Sequence, residues 1–179
     1  MKREKLFIRI PGDFQKLIDN LVSEGYNSLH LPGGKSLDGK HSSFVVVWVS
    51  DFITKDVYLL TVPYRSSFHL KEKTKNSYKK ETPAETARRE LFEETGLIIE
   101  NKDLFLFHEV QKFDNRRRSR RAFHFQYFFS LRKVMEVTDF NSKDFLIGRS
   151  GETADPVFIP KKMVSKYLFY KHRIAIGLK

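Results

Sequence analysis

Residues 82–96, TPAETARRELFEETG, are bracketed so tightly that one local conformation fits them. Thr82 is a good N-cap, Pro83 suits the first helical turn, where its missing N–H is not needed, and Glu85 completes a T-x-x-E capping box. Gly96 is the expected stop, because glycine takes the left-handed conformation at a helix C-terminus without steric cost. The spacing therefore predicts a helix over 83–95. Ala84, Ala87 and Leu91 form its apolar stripe. Glu90, Glu93 and Glu94, at i, i+3 and i+4, converge on a neighbouring face within one turn.

That convergence is unfavourable by itself. Like charges at this spacing repel by a few tenths of a kcal/mol even when exposed. Glu93 and Glu94 also lie at the end of the helix where the macrodipole disfavours negative charge. Two readings follow. The acids form a solvated face partnered by Arg88 and Arg89, or they hold a hard divalent cation, whose preferred ligands are carboxylate oxygens.

The acidic run is isolated in a basic chain. Thirty-three Lys and Arg against 22 Asp and Glu give a net charge of +11, the balance of a surface that attracts polyanions. The basic residues cluster at KEKTKNSYKK (71–80) and RRRSRR (116–121). A length of 179 residues, 40% of them hydrophobic, suffices for one well-cored domain. The absence of Cys excludes disulfides and thiolate metal sites and makes a reducing cytoplasm the expected location. The charged N-terminus is too short in apolar residues for a signal peptide, and no segment is expected to cross a membrane.

Periodicity predicts an α+β order. KLFIRI (5–10) reads as a strand, and DFQKLIDNLVSEGY (13–26) as an amphipathic helix with apolar residues at 14, 17, 18, 21 and 22. LPGGKSLDGK (31–40) reads as a linker or turn. SFVVVWVS (43–50), DVYLLTVP (56–63), LFLFHEVQKF (104–113) and RAFHFQYFFSL (121–131) read as strands, the last two forming a hairpin across DNRRRSR. The last strand sets Phe123, Phe125, Tyr127, Phe129 and Leu131 on one face. A closing helix is expected over 161–176, burying Met163, Tyr167, Leu168 and Ile174. Residues 1–40 are expected as a strand–helix–linker extension and 41–179 as the main domain.

Glu81, seven residues, then RELFEETGL resembles the signature of the Nudix hydrolases, G-x5-E-x7-R-E-U-x-E-E-x-G-U with U apolar. Glu81, Arg89, Glu90, Leu91, Glu93, Glu94, Gly96 and Leu97 match as they stand. Six fixed non-apolar positions match by chance on the order of 10⁻⁷ per starting point. The opening glycine is the departure: its position holds Lys75, and no glycine occurs between Gly39 and Gly96. LPGGK at 31–35 looks like the usual lead-in to this box, but it stands some forty residues too early and reads as an ordinary turn.

The resemblance implies an α/β/α sandwich with a mixed central sheet, and Mg²⁺- or Mn²⁺-dependent cleavage of a pyrophosphate linkage by water attack at phosphorus. Glu90, Glu93 and Glu94 are then the metal ligands, with Glu90 or a loop carboxylate as candidate general base. Arg89 orients them, together with Glu81. Glu152 and Asp155 are the candidate additional ligands; their other reading is two solvated loop acids. Arg65 and the run Arg116, Arg117, Arg118, Arg120 and Arg121 are the candidate substrate contacts, since Arg suits bidentate binding of phosphate. The expected partners are a phosphorylated small molecule, a nucleotide foremost, the 5′ end of an RNA, and a second copy of the chain. The alternative is a Nudix-like domain that binds nucleotide or RNA without hydrolysing it, motivated by Lys75 and the basic loops. Trp48 and the histidines show no ligand spacing and read as structural.

Overall fold

The structure, a computed structural model, describes residues 13–65, 79–114, 122–141 and 155–178. The expected strand at 5–10 lies outside them. Helix α1 (Phe14–Ser23) begins at Asp13, whose carboxylate accepts the Lys16 N–H, and buries Phe14, Leu17 and Leu21. Val22, counted in the apolar face, is exposed instead, because the true stripe runs i, i+3, i+7.

Nine strands follow among the described residues: β1 (Ser28–His30), β2 (Gly33–Lys35), β3 (His41–Val46), β4 (Trp48–Ser50), β5 (Val57–Tyr64), β6 (Leu104–Asp114), β7 (Ala122–Leu131), β8 (Met135–Glu136) and β9 (Val157–Pro160). Helix α2 (Pro83–Thr95) stands between β5 and β6. One sheet runs β2-β3-β7-β6, with β3 and β7 parallel and the other pairs antiparallel. The other runs β1-β5-β4-β8, with β9 on the second edge of β5. The expected strand at 43–50 is thus two, parted at Val47, whose carbonyl accepts the Leu60 N–H. That break lets consecutive residues serve both sheets.

Alternation along these strands divides the core into two layers. Val45, Val47, Val49, Leu60, Phe129 and Leu131 pack with Ala87 and Leu91 of α2. Val46, Leu59 and Phe128 point the other way, onto Phe14, Leu17 and Leu21 of α1. Helices therefore cover both sides of mixed β-structure, the α/β/α arrangement that the resemblance implies. Both faces of β7 are buried at its C-terminal end, which is why the one-sided pattern read for it is incomplete: Phe128 is as buried as Phe129.

The closing helix is corrected by the structure. A single 3₁₀ turn (Lys161–Met163) leads into α3 (Val164–Tyr167), and α4 (Tyr170–Ala175) follows after a break. Leu168 is extended, Phe169 is not helical, and the Phe169 N–H donates to the Leu29 carbonyl, so bonding to the middle of β1 replaces a helical turn. Leu168 is buried as expected and Ile174 is exposed.

The reading of LPGGKSLDGK as a linker or turn is corrected in part: residues 36–40 make a turn, but a strand precedes it. Gly33, Gly34 and Lys35 pair with Phe44, Ser43 and Ser42 as strand β2. A Cβ on Gly33 would stand 2.1 Å from the Ser43 carbonyl oxygen, so the close approach of β2 to β3 needs glycine. The boundary expected at residue 40 falls in the turn joining β2 to β3, and β1 is hydrogen-bonded to β5. No helix among the described residues is long and apolar enough to cross a membrane.

Candidate metal centre

Helix α2 forms as its punctuation predicts. Thr82 Oγ1 accepts the Glu85 N–H while the Glu85 carboxylate accepts the Thr82 N–H, and Gly96 closes the helix at φ 79°. Ala87 and Leu91 are wholly buried, which fixes the helix's rotation and turns Glu90 and Glu94 toward β2.

Strand β2 supplies the wall that sequence reasoning missed. The Gly33 N–H donates to Glu94 Oε1 at 3.0 Å. At Gly34 an added Cβ would lie 2.8 Å from the Glu90 carboxyl carbon, so the absence of a side chain there is what gives Glu90 its place. One residue on, the Lys35 carbonyl accepts from Arg89 Nη2 at 2.8 Å, and the Leu37 N–H donates to Glu81 Oε1 at 2.9 Å. LPGGK is therefore no ordinary turn. It reaches the helix through space, and its distance in sequence concealed this.

Arg89 is the hub of the acids. Nε and Nη2 grip both oxygens of Glu81 at 2.8 and 3.0 Å, while Nη1 reaches Glu90 Oε1 at 3.0 Å and Glu93 Oε2 at 3.3 Å. Arg88 turns away to the Ile99 carbonyl, so the charge offset expected from it is not made with these acids. Burial works to raise the Glu81 carboxyl, but the donors from Arg89, Leu37 and Thr86 outweigh it and hold Glu81 below the usual carboxylate range. Glu90 and Glu94 go the other way. Burial raises both, and for Glu94, pushed well above the ordinary range, the neighbouring Glu90 carboxylate adds to the effect.

These properties suit a divalent cation. Glu90 and Glu94 are adjacent, desolvated carboxylates, and among the described residues no ion pair reaches Glu94. Ser43 adds a second sign. It pairs with Gly34, on the same α2-facing side of β3 as His41 and Val45, and its buried Oγ has no hydrogen-bond partner. Glu94 thus lacks a positive charge and the Ser43 hydroxyl a polar partner. The acids are nevertheless not gathered as ligands: among the described residues no three His, Asp or Glu side chains stand as a metal-binding group. Glu93 leans to Arg89 instead, and a cation would have to draw it across.

The other sequence-predicted residues are dispersed. Arg65 donates to the Glu24 carbonyl at 2.9 Å and lies over the Tyr26 ring, engaged with the end of α1. Asp155 stands just before β9. Glu152 and Arg116, Arg117, Arg118, Arg120 and Arg121 lie outside the described residues. His41, which showed no ligand spacing, proves to be hydrogen-bonded to Thr86 of α2.

Comparison with known families matches residues 77–159 to the model of the NUDIX domain. No curated protein matches the chain. Among solved structures, one of a MutT/nudix family protein from Enterococcus faecalis superposes with a TM-score of 0.41 at 10% identity, over 83% of this chain and 51% of that one. The chain thus spans about half the length of that relative.

Proposed function

We propose, from the match of residues 77–159 to the NUDIX domain, that the chain is a Nudix hydrolase cleaving a pyrophosphate linkage in a nucleoside diphosphate derivative or another polyphosphorylated substrate. The observation that carries the proposal is the desolvated pair Glu90 and Glu94, set against the N–H of Gly33 with Glu93 one turn position away. Glu90, Glu93 and Glu94 would hold Mg²⁺ or Mn²⁺, which when bound neutralises phosphate charge and activates water. The chain's own residues set the stage for that chemistry. Arg89 orients Glu90 and Glu93 while its own position is fixed by Glu81, Gly34 leaves the space beside Glu90 open, and the Gly33 N–H fixes one oxygen of Glu94.

The non-hydrolytic alternative was motivated by Lys75 and the basic loops, and the glycines of β2 bear on the first of these. In our reading Gly33 and Gly34 stand where the segment of the glycine missing at 75 would be needed, delivered by β2. The test is release of phosphate or pyrophosphate, with Mg²⁺ or Mn²⁺, from a panel of nucleoside di- and triphosphates, their conjugates and 5′-triphosphorylated RNA. Turnover of at least one substrate is expected, with a loss of at least about 100-fold in Glu94→Gln. No turnover across the panel, or full activity in Glu94→Gln, refutes the enzymatic reading. The basic run 116–121 is assigned to substrate selection: neutralising it should raise KM most for the most highly charged substrate and flatten the salt dependence. An unchanged KM across the panel removes it from that role.

A further inference from the structure

One hydrogen-bonded chain reaches the acids from the floor of the sheet. Glu81 is ionised and can only accept, so the Thr86 hydroxyl, 3.2 Å from Glu81 Oε1, gives its proton to that oxygen. Its lone pair must then receive from His41 Nε2, 2.9 Å away, which puts a proton on that ring nitrogen. Thr86 is wholly buried and His41 nearly so, with the His41 ring edge-on to Tyr127. The backbone of His41 is fixed as well: its N–H donates to Ser36 Oγ, its carbonyl accepts the Ser36 N–H, and this closes the turn that aims the Leu37 N–H at Glu81.

Every bond in this chain has one permitted direction. His41 donates to Thr86, Thr86 to Glu81, and Arg89 to Glu81, which leaves Nη1 of Arg89 facing Glu90 and Glu93. Glu81 Oε1 accepts from Leu37, Thr86 and Arg89 together, a set of donors that sets the plane of the carboxylate and hence of the guanidinium gripping it. One of these donors comes from the β2–β3 turn, and the other two from α2 itself.

We infer that His41 and Thr86 are positioning residues of the carboxylate site, acting through Glu81 on Arg89 and through Arg89 on Glu90 and Glu93. The side-chain hydrogen bonds of both go elsewhere than to Glu90, Glu93 and Glu94. Their effect is on the angle at which the guanidinium meets those acids, and so on how well the three glutamates can be gathered. The inference rests on the metal-binding reading above for its consequence, though not for the hydrogen-bond chain itself.

The test therefore has two readouts. The first needs no metal: hydrogen exchange of the Arg89 Nε–H in ¹⁵N-labelled protein, its resonance assigned by its loss in Arg89→Lys. Thr86→Val keeps the shape and removes the hydroxyl; it should speed this exchange at least about tenfold, whereas Thr86→Ser, which restores the hydroxyl, should return it to within about twofold of wild type. His41→Phe, which keeps a ring against Tyr127, should act in the same direction as Thr86→Val. The second readout is Mn²⁺ affinity by electron paramagnetic resonance, expected to weaken by about 10- to 100-fold in Thr86→Val and to recover in Thr86→Ser. A Thr86→Val protein that melts earlier yet keeps wild-type exchange and Mn²⁺ affinity overturns the inference, since that is all a packing role would do. Should Thr86→Val not fold, His41→Phe against Thr86→Ser decides by the same criteria. If wild-type protein binds no Mn²⁺, the metal-binding reading falls, and Arg89 exchange alone decides whether His41 and Thr86 orient the guanidinium.

Discussion

Glu94 shows how one side chain can be placed at the fold's expense. Its carboxyl is raised well above the ordinary range by burial and by Glu90. In the unfolded chain it ionises normally, so as pH rises above the usual carboxylate value the unfolded state gains from ionisation and the metal-free fold does not. Stability contributed at this residue therefore falls with rising pH. Glu94→Gln removes the conflict: in chelator at pH 8 it should melt at a higher temperature than wild type in scanning calorimetry, while losing the stabilisation that added Mn²⁺ gives the wild type. Equal melting temperatures in chelator would show that burial of this acid costs nothing. Such an exchange of stability for a binding site is expected of residues held for function.

At the scale of elements, the decisive contact is β2 against α2. A Cβ at Gly34 would stand 2.8 Å from the carboxyl carbon of Glu90, so Gly34→Ala should push that acid aside. Mn²⁺ affinity should drop at least about tenfold, whereas Lys35→Ala, which trims an exposed side chain and leaves the carbonyl used by Arg89, should stay within about threefold. Titration calorimetry on the two variants decides this, and equal affinities would remove Gly34 from the site. The caps of α2 were fully legible in the sequence because Thr82, Pro83, Glu85 and Gly96 act on their nearest neighbours. Thr82→Ala should accordingly cost about 1 kcal/mol in chemical denaturation. The strand at β2 was not legible. Three residues with two glycines carry no alternation, and what makes them a strand is Phe44, Ser43 and Ser42 across the ladder. The break between α3 and α4 escaped notice for a similar reason, since a helical period cannot reveal that Phe169 bonds to Leu29 instead. In the same way, the partners of Arg89 at Lys35 and of Thr86 at His41 depend on tertiary placement, not on spacing.

For the molecule as a whole, the second core layer carries a built-in sensitivity to acid. His172 is 4% exposed and its Nδ1 accepts the Leu31 N–H, so the ring is held neutral; burial first, then His30 and Lys112 nearby, lower its pKa to about 3. His30, stacked between Tyr64 and Phe169, is lowered by burial to about 4. Between the ordinary value near 6.5 and these folded values, the unfolded chain binds protons that the fold does not, so stability falls as pH falls through that window. A loss on the order of 5 kcal/mol from pH 7 to pH 4.5 is expected in urea unfolding, about half of it from each histidine, and His172→Gln should flatten that slope. An equally steep slope in the variant would assign it to other groups. The contact of Gly33 with Glu94 has a consequence in time as well as in space. The two residues are 61 positions apart, and β3, β4 and β5 lie between β2 and α2 along the chain. Closing so long a loop requires that β2 be paired to β3 and α2 be seated on the sheet beforehand. While the chain is folding, α2 can form early from its own local signals, yet its acids meet the glycine wall only near the end. Cation affinity should therefore be among the last properties to appear during refolding, and a cation present from the start should slow unfolding more than it speeds folding.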